Sequence, residues 1–150
     1  MWVSAYGPGE LIETSAHMNA EEYIDILENV MLPSVRSIFP AEDGPRFRLV
    51  QDNSAVHTAH IVRRWFAQHP EIVVLDWPKS PDLNLIENVW AKIVNTWEPG
   101  HERTREALFE HARNAWEALR AEPEFFTNLR QSIDRRLHQV IDRDGYWMDY

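Results

Sequence analysis

The sequence feature that most constrains the fold is an apolar run at residues 72–75 (IVVL), bounded by Pro70 and Asp76. A short continuous apolar run is typical of a strand buried on both faces, which occurs mainly in parallel sheets. A second strand candidate lies at residues 47–51, and the apolar spacing within residues 61–66 suits a short helix. The sequence therefore predicts a strand, helix, strand crossover, the unit from which α/β domains are built.

The N-terminal region predicts a hairpin followed by a helix. Residues 2–6 and 10–14 are two short runs on either side of residues 7–9 (GPG), which are expected to form the turn. Asn19 has the position of a helix N-cap, with Glu22 as its capping-box partner. A helix is therefore expected to begin just after Asn19.

Proline and glycine are expected to delimit the remaining helices. Pro33 should interrupt or end the first helix, because it lacks an N–H and its ring clashes within a helix. From Asn84 to Trp97 the apolar residues recur at helical spacing, and Pro99-Gly100 should end that helix. Pro123 separates two further predicted helices. The predicted fold class is α/β, with a helical C-terminal half.

Composition limits the classes of function. Hydrophobic residues make up 44% of the 150, so a real core is expected, and the absence of cysteine excludes disulfides and cysteine-based zinc sites. A net charge of −9 argues against a protein whose main task is to bind phosphate backbone. The charge fits an ordinary acidic domain, or a domain that uses carboxylates for metal and leaves DNA docking to another module. The sequence predicts neither a membrane span nor a signal peptide.

Two carboxylates stand where α/β domains place functional groups. Asp52 follows the strand candidate at residues 47–51, and such groups gather at the carboxyl ends of strands. Glu87 lies in the first turn of the helix predicted after Asn84, with 34 residues between it and Asp52. We expect the crossover to bring the two carboxylates within about 8 Å, the reach needed to share or bridge magnesium sites. Carboxylate oxygens are the ligands that Mg²⁺ and Mn²⁺ prefer.

These residues also have purely structural interpretations. Aspartate is favoured in turns, and Glu87 has the capping-box position relative to Asn84. His57 is expected to start the following helix, since no second ligand is spaced with it, and a role toward substrate is the alternative. Spacing alone leaves both interpretations open.

Two longer motifs are more specific. Residues 51–53 (QDN), followed by residues 57–59 (HTA), resemble the second-aspartate motif of the mariner/Tc transposase superfamily. Residues 77–90 (WPKSPDLNLIENVW) resemble the third-carboxylate motif of the same superfamily, and the 34-residue gap is typical of its Asp-Asp-Glu members. Residues 19–33 and 136–150 are similar to further segments of it. The resemblance thus covers nearly the whole chain.

The resemblance implies an RNase H-like fold, in which helices flank a mixed sheet. It implies metal-dependent cleavage of DNA at transposon ends, followed by strand transfer by the freed 3′-hydroxyl. Asp52 matches the second catalytic aspartate and Glu87 the catalytic glutamate, both as ligands of a two-metal site for Mg²⁺ or Mn²⁺. Weaker roles, in shaping the loops or supporting the carboxylates, are implied for Asn53, His57, Asp82 and Asn84.

The chain departs from the family pattern in two places. Many relatives have an extra residue within the segment that matches residues 77–82, so the loop before Glu87 is expected to be short. The family's first aspartate lies on a strand upstream of the segment that begins at Trp2, and no acid precedes Glu10. We therefore expect residues 1–150 to form a partial catalytic domain, without its first strand, its first aspartate or a separate DNA-binding domain, and inactive by itself.

Three functions follow from these observations. The first is a defective piece of a transposase catalytic domain. The second is a non-catalytic remnant that tethers DNA or associates with protein, and the third, an unrelated metal nuclease of this fold, is disfavoured by the long motif around Glu87. The first function is favoured if the genomic sequence upstream of Met1 encodes a strand that ends in Asp. The second is favoured if intact-length transcripts start at Met1. The expected partners are transposon-end DNA and other copies of the chain, since an incomplete sheet exposes an edge. The expected location is the nucleus in a eukaryotic cell.

Overall fold

The fold consists of two compact units, as seen in a computed structural model. One unit comprises Met1–Leu11 and Ser80–Tyr150, and the other Ile12–Lys79. The structure describes residues 1–39, 47–77, 83–98, 100 and 104–142. Each unit combines helices with a two-stranded sheet, so the predicted α/β class is confirmed.

The unit Ile12–Lys79 opens with helix α1, Ala20–Ile26. Asn19 caps α1 as predicted, because its Oδ1 accepts a hydrogen bond from the Glu22 N–H at 2.8 Å. The Glu22 carboxylate does not turn back to complete the capping box. It accepts from the Ser15 N–H at 2.7 Å and from the Ser15 hydroxyl instead, and so fixes the chain that enters the helix.

The interruption predicted at Pro33 takes the form of a π-helical turn, Leu27–Met31. Pro33 lies in the first turn of helix α2, Leu32–Ile38, where a proline is tolerated. In the π turn the Leu32 N–H donates to the carbonyl five residues earlier, that of Leu27. This turn lies just upstream of Pro33, where proline disrupts the regular hydrogen bonds of an α-helix. The helical segment therefore continues to Ile38 and does not end at Pro33.

The predicted crossover is confirmed in this unit. Strands β3, Phe47–Leu49, and β4, Ile72–Val74, pair in parallel, and helix α3, His60–Gln68, lies between them in the chain. Only the first residue of β4 is buried, whereas Val73 is 43% exposed and Val74 37%. The expectation of a strand buried along its length is wrong, since in the described part of the chain this sheet has two strands. The core of the unit comprises Leu27, Met31, Leu32, Val35, Val62, Trp65 and Ile72.

The other unit begins with a hairpin whose turn differs from the prediction. Strands β1, Val3–Ser4, and β2, Gly7–Pro8, pair antiparallel, so the turn is formed by Ala5 and Tyr6. The Gly-Pro pair expected in the turn belongs to the second strand. Gly7 has a φ of 128°, a conformation that residues with a side chain rarely adopt, and this explains why glycine occupies the start of β2.

Three helices follow, as predicted. They are α4, Leu85–Asn95, α5, Arg105–Arg120, and α6, Pro123–Asp142. Pro123 begins α6, where its missing N–H costs nothing. The buried residues of this unit are Leu83, Val89, Ile93, Trp116, Leu119, Phe126 and Leu129. None of the described helices is both long and apolar enough to span a membrane.

The hairpin packs on α5 through backbone carbonyls. The Gly9 carbonyl accepts from Trp116 Nε1 at 3.0 Å and from Arg120 Nη2 at 2.7 Å, and Arg120 Nη1 donates to the Pro8 carbonyl at 2.9 Å. The Trp2 ring lies directly against Gly9, so a Cβ built on Gly9 would meet Trp2 Cε2 at 1.9 Å. Glycine is therefore required at this position by close approach.

Gly9→Ala is expected to destabilise this unit by about 1–3 kcal/mol, the usual cost of forcing an extra carbon into a packed site. Urea unfolding followed by far-UV circular dichroism measures it. In a Trp2→Ala background the same substitution should cost much less, because the colliding ring is gone. An equal cost in both backgrounds would contradict the assigned collision.

Candidate active site

Asp52 lies in the loop that follows β3, as predicted. Its Oδ1 accepts a hydrogen bond from the Ser54 N–H at 3.0 Å, which forms a local Asx turn. The turn at residues 55–58 then brings His57 back, with its Nδ1 at 2.7 Å from the same Oδ1. The structure thus joins two of the residues that the sequence singled out, Asp52 and His57.

His57 does not start a helix, and that prediction is wrong. Helix α3 begins at His60, while His57 belongs to the turn that precedes it. The imidazole is 19% exposed and packs against the ring of Tyr23, with ring centroids 4.4 Å apart. The side chain is directed at Asp52 because the Asx turn reverses the chain between the two residues.

Two further residues near Asp52 escaped the sequence analysis as contributors to the site. Tyr23, on helix α1, donates from its hydroxyl to Gln51 Oε1 at 2.7 Å. Gln51 Nε2 lies 3.5 Å from the His57 carbonyl oxygen. Burial, aided by the negative charge of Asp52, raises the pKa of the Tyr23 phenol, so this hydroxyl remains a donor at neutral pH.

The Asp52 carboxylate is suited to a cation. Burial raises its pKa, but the Ser54 N–H together with the charge and hydrogen bond of His57 outweighs that effect, and the pKa of Asp52 lies below its ordinary value. The carboxylate is therefore ionised at neutral pH, and 59% of the side chain is exposed. An ionised, accessible oxygen ligand is what Mg²⁺ or Mn²⁺ requires.

Glu87 lies in the first turn of α4, as predicted, and its side chain is exposed. Asn84 occupies the N-cap position, as predicted, but its side chain makes no capping hydrogen bond. The Glu87 N–H, which an N-cap side chain commonly binds, donates to the Asn84 backbone carbonyl at 3.1 Å instead. The backbone thus supplies the bond that was expected from the side chain.

The beginning of α4 is fixed to α6 by a polar contact beside Glu87. Arg136 Nη1 donates to Asn88 Oδ1 at 2.9 Å, and both residues are partly buried. Asn88 belongs to the motif at residues 77–90, and Arg136 to the C-terminal segment, residues 136–150, that also resembles the transposase superfamily. Their contact ties these two segments together within one unit.

The remaining predicted site residues are less informative. Asn53 is exposed beside Asp52, and Asp82 lies outside the residues that the structure describes.

Asp52 and Glu87 belong to different units, so their expected separation of about 8 Å stays a prediction. Within residues 1–39, 47–77, 83–98, 100 and 104–142, no three His, Cys, Asp or Glu side chains form a group that could hold a metal.

The sequence has relatives among known proteins. Residues 3–108 match the model of a family described as DDE superfamily endonuclease. The chain is 33% identical over 144 residues to the transposable element Tc1 transposase of Caenorhabditis elegans. The aligned region covers 95% of this chain and 50% of that protein. It is 33% identical over 129 residues to the Tcb2 transposase of Caenorhabditis briggsae (85% and 45%), and 30% identical over 144 residues to the C. elegans Tc3 transposase (94% and 42%). The chain spans about half the length of these curated relatives.

Proposed function

Because the chain belongs to the DDE superfamily of endonucleases, and within it to the Tc1/mariner transposases, we propose that Asp52 and Glu87 are metal-binding carboxylates of a DNA strand-cleaving site. The observation that carries this proposal is Asp52, an ionised and exposed carboxylate at the end of a parallel strand. Both residues lie inside the matched region 3–108. An RNase H-like fold is part of the proposal, and the parallel β3–β4 pair supports it.

The chemistry follows from the ligands. A pair of Mg²⁺ or Mn²⁺ ions, when bound, stabilises the attacking and leaving oxygens of an in-line displacement at phosphorus. Asp52 and Glu87 supply the anionic oxygens that such hard cations prefer. Ser54 and His57 both bind Asp52 Oδ1, so Oδ2 is the oxygen through which we expect Asp52 to bind the cation.

We propose transposon-end DNA as the substrate and the nucleus as the place of action. The relatives named above are nematode transposases, and in such cells chromosomal DNA lies in the nucleus. The net charge of −9 leaves few cations to neutralise phosphates, so another module must provide most of the DNA affinity.

We also propose that residues 1–150 do not cleave DNA by themselves, because they contain no match to the family's first aspartate. The test is nicking of a labelled duplex that carries the ends of the encoding element, in Mg²⁺ or Mn²⁺. We expect no product. Cleavage that Asp52→Asn abolishes would overturn the inactivity but keep the assignment of Asp52, whereas cleavage that Asp52→Asn leaves unchanged would overturn both.

A second candidate function, protein association, is favoured by an apolar patch on α4. Trp90 and Val94 lie one helical turn apart and are 39% and 64% exposed. We expect the chain to associate with other copies at high concentration, and Val94→Lys to reduce this. Light scattering measures it, and a sharp monomer peak for the unmodified chain would count against association.

A further inference from the structure

We propose that His57 is a positioning residue for Asp52, and that Tyr23 and Gln51 hold His57 in place. The inference rests on the proposed function, because it assigns a purpose to contacts of the proposed metal ligand. Its basis is geometric: His57 Nδ1 lies 2.7 Å from Asp52 Oδ1, and the Ser54 N–H binds the same oxygen at 3.0 Å.

Two donors on one oxygen fix the direction of an otherwise free carboxylate. Asp52 lies on a loop and is 59% exposed, so without these bonds its side chain would sample several rotamers. A ligand already held in one orientation loses less conformational entropy when it binds a cation. Partners that hydrogen-bond a metal ligand commonly raise metal affinity by about 10–100-fold.

The hydrogen bond also defines the state of the imidazole. An ionised carboxylate only accepts hydrogen bonds, so Nδ1 of His57 must carry the proton that it donates to Asp52. The group of His57 that holds Asp52 is therefore an N–H attached to the ring carbon Cγ. The other ring nitrogen, Nε2, takes no part in holding Asp52.

His57 is itself held by α1. The ring of Tyr23 packs on the imidazole at 4.4 Å with an interplanar angle of 39°, and the Tyr23 hydroxyl donates to Gln51 Oε1 at 2.7 Å. Gln51 is the neighbour of Asp52 in the chain and has its Nε2 3.5 Å from the His57 carbonyl. Tyr23 thus contacts both the imidazole and the residue that precedes the carboxylate.

The test measures Mn²⁺ binding to residues 1–150 by loss of the free Mn²⁺ signal in electron paramagnetic resonance. Asp52→Asn should abolish most binding, and His57→Ala should weaken it about 10-fold. His57→Asn should restore most of the affinity, because its amide nitrogen is attached to Cγ as Nδ1 is. His57→Gln, whose amide nitrogen corresponds to Nε2, is the matched variant that should not. Asp76→Asn, an exposed aspartate after β4, should bind as the unmodified chain does.

The outcomes separate the inference from the function on which it rests. Undetectable Mn²⁺ binding by the unmodified chain at millimolar concentration, or unchanged binding by Asp52→Asn, contradicts the proposed metal site. Weakened binding in Asp52→Asn with unchanged binding in His57→Ala overturns the positioning role alone. If His57→Ala fails to fold by circular dichroism, the Asn and Gln variants decide, and equal affinities for these two would show that His57 is merely structural.

Discussion

Joining the chain to a relative's first-aspartate strand and DNA-binding domain is expected to give a protein that cleaves transposon-end DNA, and Asp52→Asn in that hybrid is expected to lower the cleavage rate about 1,000-fold. The substitution removes the negative charge that holds the cation but nearly preserves the shape of the side chain. Metal ions contribute several kcal/mol to stabilising the transition state, and each 1.36 kcal/mol is a tenfold change in rate. Nicking of an end-labelled duplex measures the rate.

Glu87→Gln should have an effect of the same order, since it removes the other proposed ligand. The chain offers a matched control for each residue. Asp76 is exposed after β4 as Asp52 is after β3, and Glu106 is exposed in the first turn of α5 as Glu87 is in α4. Asp76→Asn and Glu106→Gln should change the rate by less than about 2-fold, because neither carboxylate is a proposed metal ligand and exposed charges contribute little. A control as damaging as its partner would contradict the site.

Trp116→Ala is expected to lower the free energy of unfolding by about 3–5 kcal/mol, the usual cost of truncating a buried aromatic residue. Trp116 is 1% exposed in the core that α4, α5 and α6 share, and its Nε1 also donates to the Gly9 carbonyl. The substitution therefore leaves a cavity and loosens the hairpin. Urea unfolding followed by circular dichroism measures the loss.

Trp116→Phe separates the two contributions. The phenyl ring keeps most of the apolar volume but cannot donate a hydrogen bond. The Gly9 carbonyl would still accept from Arg120 Nη2 at 2.7 Å, so it is not left without a partner, and the hydrogen bond itself should account for only about 1 kcal/mol. If Trp116→Ala cost less than about 1 kcal/mol, Trp116 would not be the centre of this core.

The helices and the crossover could be predicted because their signals are local. The apolar spacing along α4 and the run in β4 depend on neighbouring residues alone, and Asn19 caps α1 through a bond that spans three positions. The turn of the hairpin was predicted in the wrong place, because a Gly-Pro-Gly segment is typical of turns whether or not it forms one. Gly9 is required by the Trp2 ring and by contacts with α5, which no local pattern reveals.

The sequence motifs propose residues for the candidate site, but they do not predict the contacts among them. Motifs identified Asp52 and Glu87, whereas the bond from His57 to Asp52 arises from an Asx turn at Ser54 that reverses the chain. Aspartate itself favours such a turn, because its side chain readily accepts from the backbone N–H two residues on, and this local signal could have suggested the contact. The role of Tyr23 could not be predicted, since it lies 28 residues before Gln51 and looks like an ordinary apolar residue of a helix.

The central claim, that Asp52 and Glu87 bind metal at one site, is tested most directly by letting Fe²⁺ replace Mg²⁺ and cleave the polypeptide oxidatively near its ligands. Ascorbate and peroxide generate the radicals, and mass spectrometry locates the cuts. We expect cuts near both residue 52 and residue 87, lost together in Asp52→Asn and lost together in Glu87→Gln, and retained in Asp76→Asn. Cuts at only one of the two positions, or cuts near residue 87 that persist in Asp52→Asn, would show that the two carboxylates do not share a metal site.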